Sequence, residues 1–232
     1  MQLRMKDVAK FLGVSEKMVG RWVEEDALPA FRMHNQYRFN RVEVMEWAMD
    51  RKMDVRPDLS GDGDDEDEAL CTLTEALEAG GIHYEVAGRD KAAVMRSMVE
   101  VLPLGDSVDR EFLLQILLER EALGTTAVGD GVAIPHVRNP IVLPISDPVV
   151  ALCFLKEPVD FAALDKIPVQ VLFTILSPTI RAHLHVLSML AHCLREPGFH
   201  AALSRKASVA EVLAETERVM ARLEAPREPE TP

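Results

Sequence analysis

The sequence has few cysteines and no long apolar run. Of its 232 residues only three are cysteines, Cys71, Cys153 and Cys193, and none of them falls in a CxxC or similar metal-binding spacing. This usage argues for a reducing compartment without structural disulfides. The stretch MQLRMKDVAK has no apolar core of the signal-peptide type, and no apolar run approaches the roughly 20 residues that span a bilayer. We therefore expect a cytoplasmic protein without membrane insertion.

Basic residues are outnumbered, but unevenly along the chain. The sequence has 26 Lys and Arg against 38 Asp and Glu, a net charge of −12. Residues 1–53 hold ten basic and eight acidic residues, which is a charge of +2, so the remainder carries −14. An acidic protein rarely binds nucleic acid as a whole, yet the mildly basic N-terminal part remains compatible with such binding.

The sharpest change in composition marks a domain boundary. Residues 54–69, DVRPDLSGDGDDEDEA, contain eight acidic residues and almost nothing that a core could bury. We predict an acidic flexible linker at 54–71, between one domain at 1–53 and a second at 72–224. The Pro-rich residues 225–232 are predicted to form a disordered tail.

The first domain has the pattern of a winged helix-turn-helix. A short amphipathic helix ends at Gly13, and Ser15 is a suitable N-cap for a second helix. Apolar segments near 31–33 and 37–39 flank turn-forming residues at 34–36 and predict a β-hairpin wing. The run VEVMEWAMDRK predicts a third helix. Two short helices joined by a glycine-containing turn are typical of helix-turn-helix units.

The runs VAKFLGVSEKMVGRWVEEDALPAFR and YRFNRVEVMEW resemble the excisionase and MerR-type helix-turn-helix family. The resemblance implies that the second helix enters the major groove while the wing contacts the DNA backbone or minor groove. By position, the DNA contacts would be Glu16, Lys17 and Arg21 on the helix, and Arg32, Gln36, Tyr37 and Arg38 on the wing. A single copy with so little positive charge binds DNA weakly, so a homodimer or larger assembly would be needed. A small domain for protein contacts is the alternative, favoured by the acidic residues at 24–26.

The second domain mixes helical and strand-like segments. Helices are predicted around 92–102 and over EFLLQILLEREAL, followed by the strand-like runs PVVALCFLKEPVDF and VQVLFTILSP. Two further helices are predicted over AHLHVLSMLAHCLREP and VAEVLAETERVMARLE. This order predicts an α/β (α+β) fold with a mixed central sheet flanked by helices.

Three positions of this domain, one of them a pair of histidines, suit phosphoryl transfer. His136 follows Pro135 and a turn with glycines at 129 and 131, which permit close backbone approach to a ligand. His183 and His185 lie at the predicted start of a helix, where unpaired N–H groups favour an anion. Arg120 lies near a helix end, and its guanidinium matches a phosphate. Composition alone does not establish that they converge.

The runs LLEREALGTTAVGDGVAIPH and AHLHVLSMLAHCL resemble two signatures of enzyme IIA domains of the sugar phosphotransferase system, of the fructose, mannitol and nitrogen-regulatory type. The resemblance implies that His136 accepts a phosphoryl group from an HPr-type carrier protein, that His183 hydrogen-bonds this group and that Arg120 holds its charge. It implies neither a metal nor a cofactor. It also implies a IIB or regulatory protein as a further partner. Val137 stands where this family commonly has a small residue.

Alternatives remain for the whole chain and for its histidines. A regulatory carrier coupled to DNA binding is favoured because the sequence contains no permease and no IIB-like cysteine motif; a sugar-transport component and a binding module without phosphate are the alternatives. A zinc site made of His136, His183 and His185 is disfavoured, since positions i and i+2 of a helix diverge by about 200°. Structural roles are expected for His83, His192 and His200, and a turn position for His34.

Overall fold

The computed structural model describes residues 2–25, 27–33, 36–51, 53, 70–105, 108–137 and 145–224. Residues 54–69 of the predicted linker, the predicted tail 225–232 and the turn residues 34–35 lie outside these ranges. The exact domain boundaries therefore stay a prediction. Within the described ranges, no helix combines the length and hydrophobicity needed to cross a bilayer.

The N-terminal part, called the head below, is a small α/β unit. Its elements are β1 (Gln2–Leu3), α1 (Met5–Leu12), α2 (Glu16–Glu24), β2 (Phe31–Met33), β3 (Gln36–Asn40) and α3 (Arg41–Asp50). The three strands pair antiparallel in the order β1-β3-β2. The predicted helices and hairpin are confirmed; β1 was not predicted, because two residues are too short to show a periodicity.

Local signals in the head act as the sequence suggests. Gly13 ends α1 in the left-handed conformation at φ +65°, and the Ser15 hydroxyl accepts the N–H of Met18 at 3.3 Å to cap α2. The Trp47 indole N–H donates to the Ala27 carbonyl, which ties α3 to the chain that leaves α2. This hydrogen bond fixes α3 against the segment that follows α2.

The larger C-terminal part, called the body, has a mixed sheet between helices. Its elements are α4 (Leu73–Gly80), β4 (Ile82–Val86), α5 (Lys91–Val101), α6 (Arg110–Ala122), β5 (Ala127–Gly129), β6 (Val132–Ala133), β7 (Val149–Val159), β8 (Val169–Leu176), α7 (Ile180–Arg195), α8 (Pro197–Ser204) and α9 (Val209–Glu224). The strand order is β4-β7-β8-β6-β5, with parallel pairs β4/β7 and β6/β8 and antiparallel pairs β7/β8 and β5/β6. The predicted mixed sheet flanked by helices is confirmed. Strand β4 was missed, since its sequence IHYEV has exposed polar positions and little apolar pattern.

The head packs directly on the body. Helix α3 contacts β5 and α7, and the Arg195 guanidinium donates to the Met53 carbonyl at 2.7 Å. Buried side chains of the two parts form one continuous apolar cluster. The sequence predicts two domains joined in series and contains no separate indication of this contact.

Two glycines give opposite expectations for replacement by alanine. A Cβ at Gly80, the last residue of α4, would lie 2.2 Å from the carbonyl oxygen of Val150, whereas a Cβ at Gly20 within α2 meets nothing within 4 Å. Because backbone of the central sheet cannot yield cheaply, Gly80→Ala should lower the free energy of unfolding by about 2 kcal/mol. Gly20→Ala should raise it by about 0.5 to 1 kcal/mol through helix propensity. Urea unfolding followed by circular dichroism measures both free energies. Equally small changes for the two variants would contradict the close packing of α4 on β7.

Candidate active site

His136 lies one residue beyond Pro135 at the end of β6, and its ring has a defined orientation. The residue is buried and forms an isolated parallel bridge to Ile175 of β8. Its ring nitrogen Nδ1 lies 2.7 Å from the Ile134 carbonyl oxygen. Because a carbonyl can only accept, Nδ1 carries the proton, and in a neutral imidazole the lone pair is on Nε2. A neutral His136 ring would therefore be nucleophilic at Nε2.

The turn before His136 is anchored to the central strand. Gly129, Asp130 and Gly131 all have positive φ, between +52° and +92°. Glycine adopts this conformation most easily, and two of the three residues are glycines. The Gly131 carbonyl accepts the N–H groups of Gln170 and Val171 at 2.8 and 3.1 Å. This double contact fixes the strand that leads to His136 against β8.

Arg120 belongs to the last turn of α6 and is 8% exposed. One guanidinium nitrogen donates to the Gly124 carbonyl at 3.1 Å and the other to a carboxylate of the head at 2.5 Å. A buried guanidinium requires such an anionic partner.

The neighbouring Glu121 is a buried carboxylate that holds this region together. One of its oxygens accepts the backbone N–H and the hydroxyl of Thr126 at 2.9 and 2.6 Å, and the other accepts the Lys91 ammonium at 2.7 Å. The network joins α5, the end of α6 and the residue before β5, and thereby fixes the end of α6 that carries Arg120.

His183 projects its ring toward His136 from α7. The two ring centroids are 5.2 Å apart, and His183 is fully buried. Neither of its ring nitrogens has a hydrogen-bond partner among the described residues. Burial, with a smaller effect of His136, lowers the pKa of His183 to about 3, and Glu46 acts in the opposite direction. The ring is thus neutral near pH 7 and offers one N–H donor to a ligand.

The prediction that unpaired N–H groups surround His183 is wrong. Helix α7 begins at Ile180, the Thr179 hydroxyl accepts the N–H of Ala182 at 3.1 Å, and the Thr179 carbonyl accepts the N–H of His183 at 3.0 Å. The backbone N–H of His183 is satisfied because α7 begins at Ile180, two residues before the predicted start at Ala182. The imidazole, and not the helix end, faces the site.

Glu46 of helix α3 is the residue that sequence reasoning missed. Its Oε1 lies 2.6 Å from His136 Nε2, and its Oε2 lies 2.5 Å from the Arg120 guanidinium. Burial alone would raise the pKa of Glu46, but hydrogen bonds and charge from His136 and Arg120 outweigh burial and lower it. A carboxylate of the head thus completes an anion-binding site of the body.

The sequence contains one signal for Glu46. Positions 42, 46 and 49 share one face of a helix, and Val42 and Met49 are buried apolar residues. An acidic side chain within such a stripe indicates a buried carboxylate that needs a partner. The identity of that partner cannot be deduced from the stripe.

Comparison with known proteins identifies the body. Residues 75–218 match the family model for the phosphoenolpyruvate-dependent sugar phosphotransferase system, EIIA 2. The chain belongs to this family. Residues 3–52 match a helix-turn-helix domain model, so a helix-turn-helix domain precedes the EIIA domain.

Relatives include regulatory and sugar-specific proteins. A nitrogen regulatory protein of Pseudomonas aeruginosa is 33% identical over 128 residues, which are 54% of this chain and 81% of the relative. A fructose-specific EIIA component of Haloferax volcanii is 40% identical over 112 residues, 46% of this chain and 71% of the relative. The crystal structure of nitrogen regulatory protein IIA-Ntr from Neisseria meningitidis superposes with a TM-score of 0.52 at 30% identity, covering 60% of this chain and 93% of that one.

The other histidines of the EIIA domain lie outside the site. The pKa of His185 is lowered by burial and by Arg181, while a hydrogen bond to the Cys71 backbone opposes the shift, so this ring faces Cys71 and not His136. Among the described residues no group of three His, Cys, Asp or Glu side chains is placed to hold a metal ion. His83, His192 and His200 each contact a residue within four positions. Val137 is buried in the core and does not line the site.

The predicted DNA-contacting residues lie on α2 and the wing. Lys17 and Arg21 are exposed on α2. On the wing, Arg32 donates to the Tyr37 hydroxyl at 3.1 Å, and Arg38 donates to the Gln36 side chain at 2.9 Å. None of these six residues belongs to α3, the helix that contacts the EIIA domain.

The buried neutral state of His183 predicts a pH-dependent stability. Its pKa in the folded protein, about 3, is below the ordinary 6.5, so the unfolded chain binds the proton first. The stabilisation is complete above pH 6.5 and is lost as the pH falls toward 3. Relative to His183→Gln, wild type should therefore lose about 1 kcal/mol of unfolding free energy per pH unit below 6.5.

Urea unfolding between pH 7.5 and 5 measures this difference. His200→Gln, which changes a half-buried histidine outside the site, is the control and should follow wild type. Parallel pH profiles for wild type and His183→Gln would contradict a neutral buried His183.

Proposed function

We propose that the EIIA domain accepts a phosphoryl group on Nε2 of His136 from an HPr-type carrier protein. The observation that carries the proposal is the fixed ring of His136, whose Nδ1 is occupied by the Ile134 carbonyl and whose Nε2 faces an anion site beside Arg120. In the transfer, the Nε2 lone pair forms a bond to phosphorus, while the bond between phosphorus and the carrier breaks and its electron pair returns to the carrier.

Each neighbouring group has a role in this transfer. The Arg120 guanidinium balances the charge of the phosphoryl oxygens and is held in place by the Gly124 carbonyl. His183, neutral and without a hydrogen-bond partner among the described residues, donates its N–H to one of these oxygens. The orientation of the His136 ring and the position of Arg120 are fixed by the protein before the carrier arrives, so positioning supplies the catalysis.

We further propose that the head binds DNA and that the chain is a regulatory protein of the nitrogen type. The exposed basic residues of α2 and the wing support DNA binding, and the similarity to nitrogen regulatory proteins supports regulation. DNA affinity would require a homodimer, because one head carries little net positive charge. The phosphorylated EIIA domain would act on a regulatory protein target or a IIB partner, and the proposal places the protein in the cytoplasm, with the carrier.

Two other functions have support from specific observations. The 40% identity to a fructose-specific EIIA component supports a role in sugar transport with separate partner chains. The occupied site beside His136 supports a binding module that carries no phosphate. The following experiment separates the binding module from the two functions in which His136 carries a phosphoryl group.

Incubation with phosphoenolpyruvate, enzyme I and an HPr-type carrier should label wild type but not His136→Ala. His200→Gln, with the substituted histidine outside the site, should be labelled like wild type. The label should be acid-labile and base-stable, and phosphorus NMR should assign it to Nε2, because Nδ1 is occupied by the Ile134 carbonyl. An unlabelled wild type beside a phosphorylated carrier would leave the binding module as the function.

DNA binding by the head should depend on salt and on α2. Each phosphate contact contributes about 0.9 to the slope of log affinity against log salt concentration. The double variant Lys17→Ala/Arg21→Ala should therefore reduce that slope by roughly 2 in fluorescence anisotropy with duplex DNA. Lys156→Ala, an exposed lysine of the EIIA domain, is the matched control. An equal slope for all three proteins would exclude α2 as the DNA-contacting helix.

A further inference from the structure

The position that the proposed function gives to a phosphoryl group is occupied by a carboxylate of the same chain. Glu46 contacts both groups that would bind the phosphoryl oxygens and phosphorus, Arg120 at 2.5 Å and His136 Nε2 at 2.6 Å. The site cavity that remains, partly lined by these three residues, has a volume of about 40 Å³. A distance of 2.6 Å between Nε2 and a carboxylate oxygen leaves no room for a phosphorus atom between them.

The same contact removes the nucleophilic lone pair. Nδ1 of His136 already donates its proton to the Ile134 carbonyl. A hydrogen bond between Nε2 and Glu46 then needs a second proton, which lies on the ring or on the carboxyl group. The lowered pKa of Glu46 favours its carboxylate form, which can only accept this hydrogen bond. In either case Nε2 has no lone pair available for attack on phosphorus.

We propose that Glu46 is an internal competitor of the phosphoryl group, so that docking of the head through α3 and phosphorylation of His136 exclude each other. The proposal rests on the proposed function and specifies its regulation. For His136 to react, Glu46 must leave the site, and the Nε2 proton must leave with the carboxyl group or to water. Once the phosphoryl group is attached, its oxygens occupy the place of the carboxylate beside Arg120, and like charges repel Glu46.

The packing around this contact favours a reversible interface. A cavity of about 540 Å³ lies beside it, lined on the head side by Met49 and Met53 and on the body side by residues of β5, α7 and α8. Side chains that line this open cleft lack partners on one side, so apolar packing contributes less here than in a filled core. A larger share of the docking free energy then comes from the polar contacts. These are the contacts of Glu46 with His136 and Arg120 and the hydrogen bond from Arg195 to the Met53 carbonyl.

The docked head leaves its proposed DNA-contacting residues accessible. The contact with the body is made by α3, whereas Lys17 and Arg21 remain exposed on α2 and Arg32 on the wing. Phosphorylation would therefore change how the head is held and leave the exposure of α2 as it is.

The test compares phosphoryl uptake of full-length Glu46→Gln with that of wild type, using an HPr-type carrier. Glutamine removes the charge that pairs with Arg120, so we expect the initial rate to rise about tenfold or more. Glu24→Gln makes the same change on the exposed surface of α2 and should react like wild type. Glu46→Asp retains the charge on a shorter side chain and should give a smaller increase in the initial rate. It replaces Glu46→Gln in the test if the glutamine variant does not fold.

Small-angle X-ray scattering of the same proteins gives a second readout. Phosphorylation should increase the radius of gyration of wild type, and the same treatment should leave His136→Ala unchanged. Equal uptake rates for wild type, Glu46→Gln and Glu46→Asp, with no change in radius on phosphorylation, would overturn the competitor proposal and leave phosphoryl acceptance intact. No uptake by any variant beside a phosphorylated carrier would overturn both.

Discussion

A buried positive charge that needs an anion is the constraint on which the site depends. Arg120 is 8% exposed and has one neutral partner, the Gly124 carbonyl, so its charge must be balanced from across the site. In this structure Glu46 supplies the balance. A phosphoryl group on His136 would supply it equally well, because the guanidinium geometry suits both anions. The two states therefore share one cation and differ in which anion it binds.

The surrounding fold keeps this cation and the nucleophile in fixed positions. The Glu121 network joins Lys91 of α5 to Thr126 at the start of β5, and the carbonyl of Gly131 is held by two N–H groups of β8. His136 then takes its position from the strand, and the Ile134 carbonyl, which accepts the N–H of Nδ1, sets which ring nitrogen is protonated. None of these supports lies in the head, so the EIIA domain retains its geometry whichever anion is present.

The sequence predicted much of this arrangement, and its failures have physical causes. The glycine turn, the histidine after Pro135 and the arginine at the end of α6 are local patterns, and their convergence was supplied by family resemblance. Strand β4 escaped prediction because its apolar pattern is weak, and the start of α7 was placed too late because Thr179 caps it before the histidines. Glu46 is 74 residues from Arg120 and 90 from His136, and local periodicity carries no information on such contacts.

The contact between Glu46 and His136 joins two parts of one polypeptide, and this decides how it responds to concentration. An intramolecular ligand on a short connection has an effective concentration on the order of millimolar, whatever the amount of protein. Dilution therefore does not release the head, and greater expression does not strengthen its docking. In the proposed transfer, a carrier at lower concentration would reach His136 when the contact between Glu46 and His136 opens spontaneously. Under the proposed function, the fraction of undocked molecules would follow the phosphorylation level of the carrier pool.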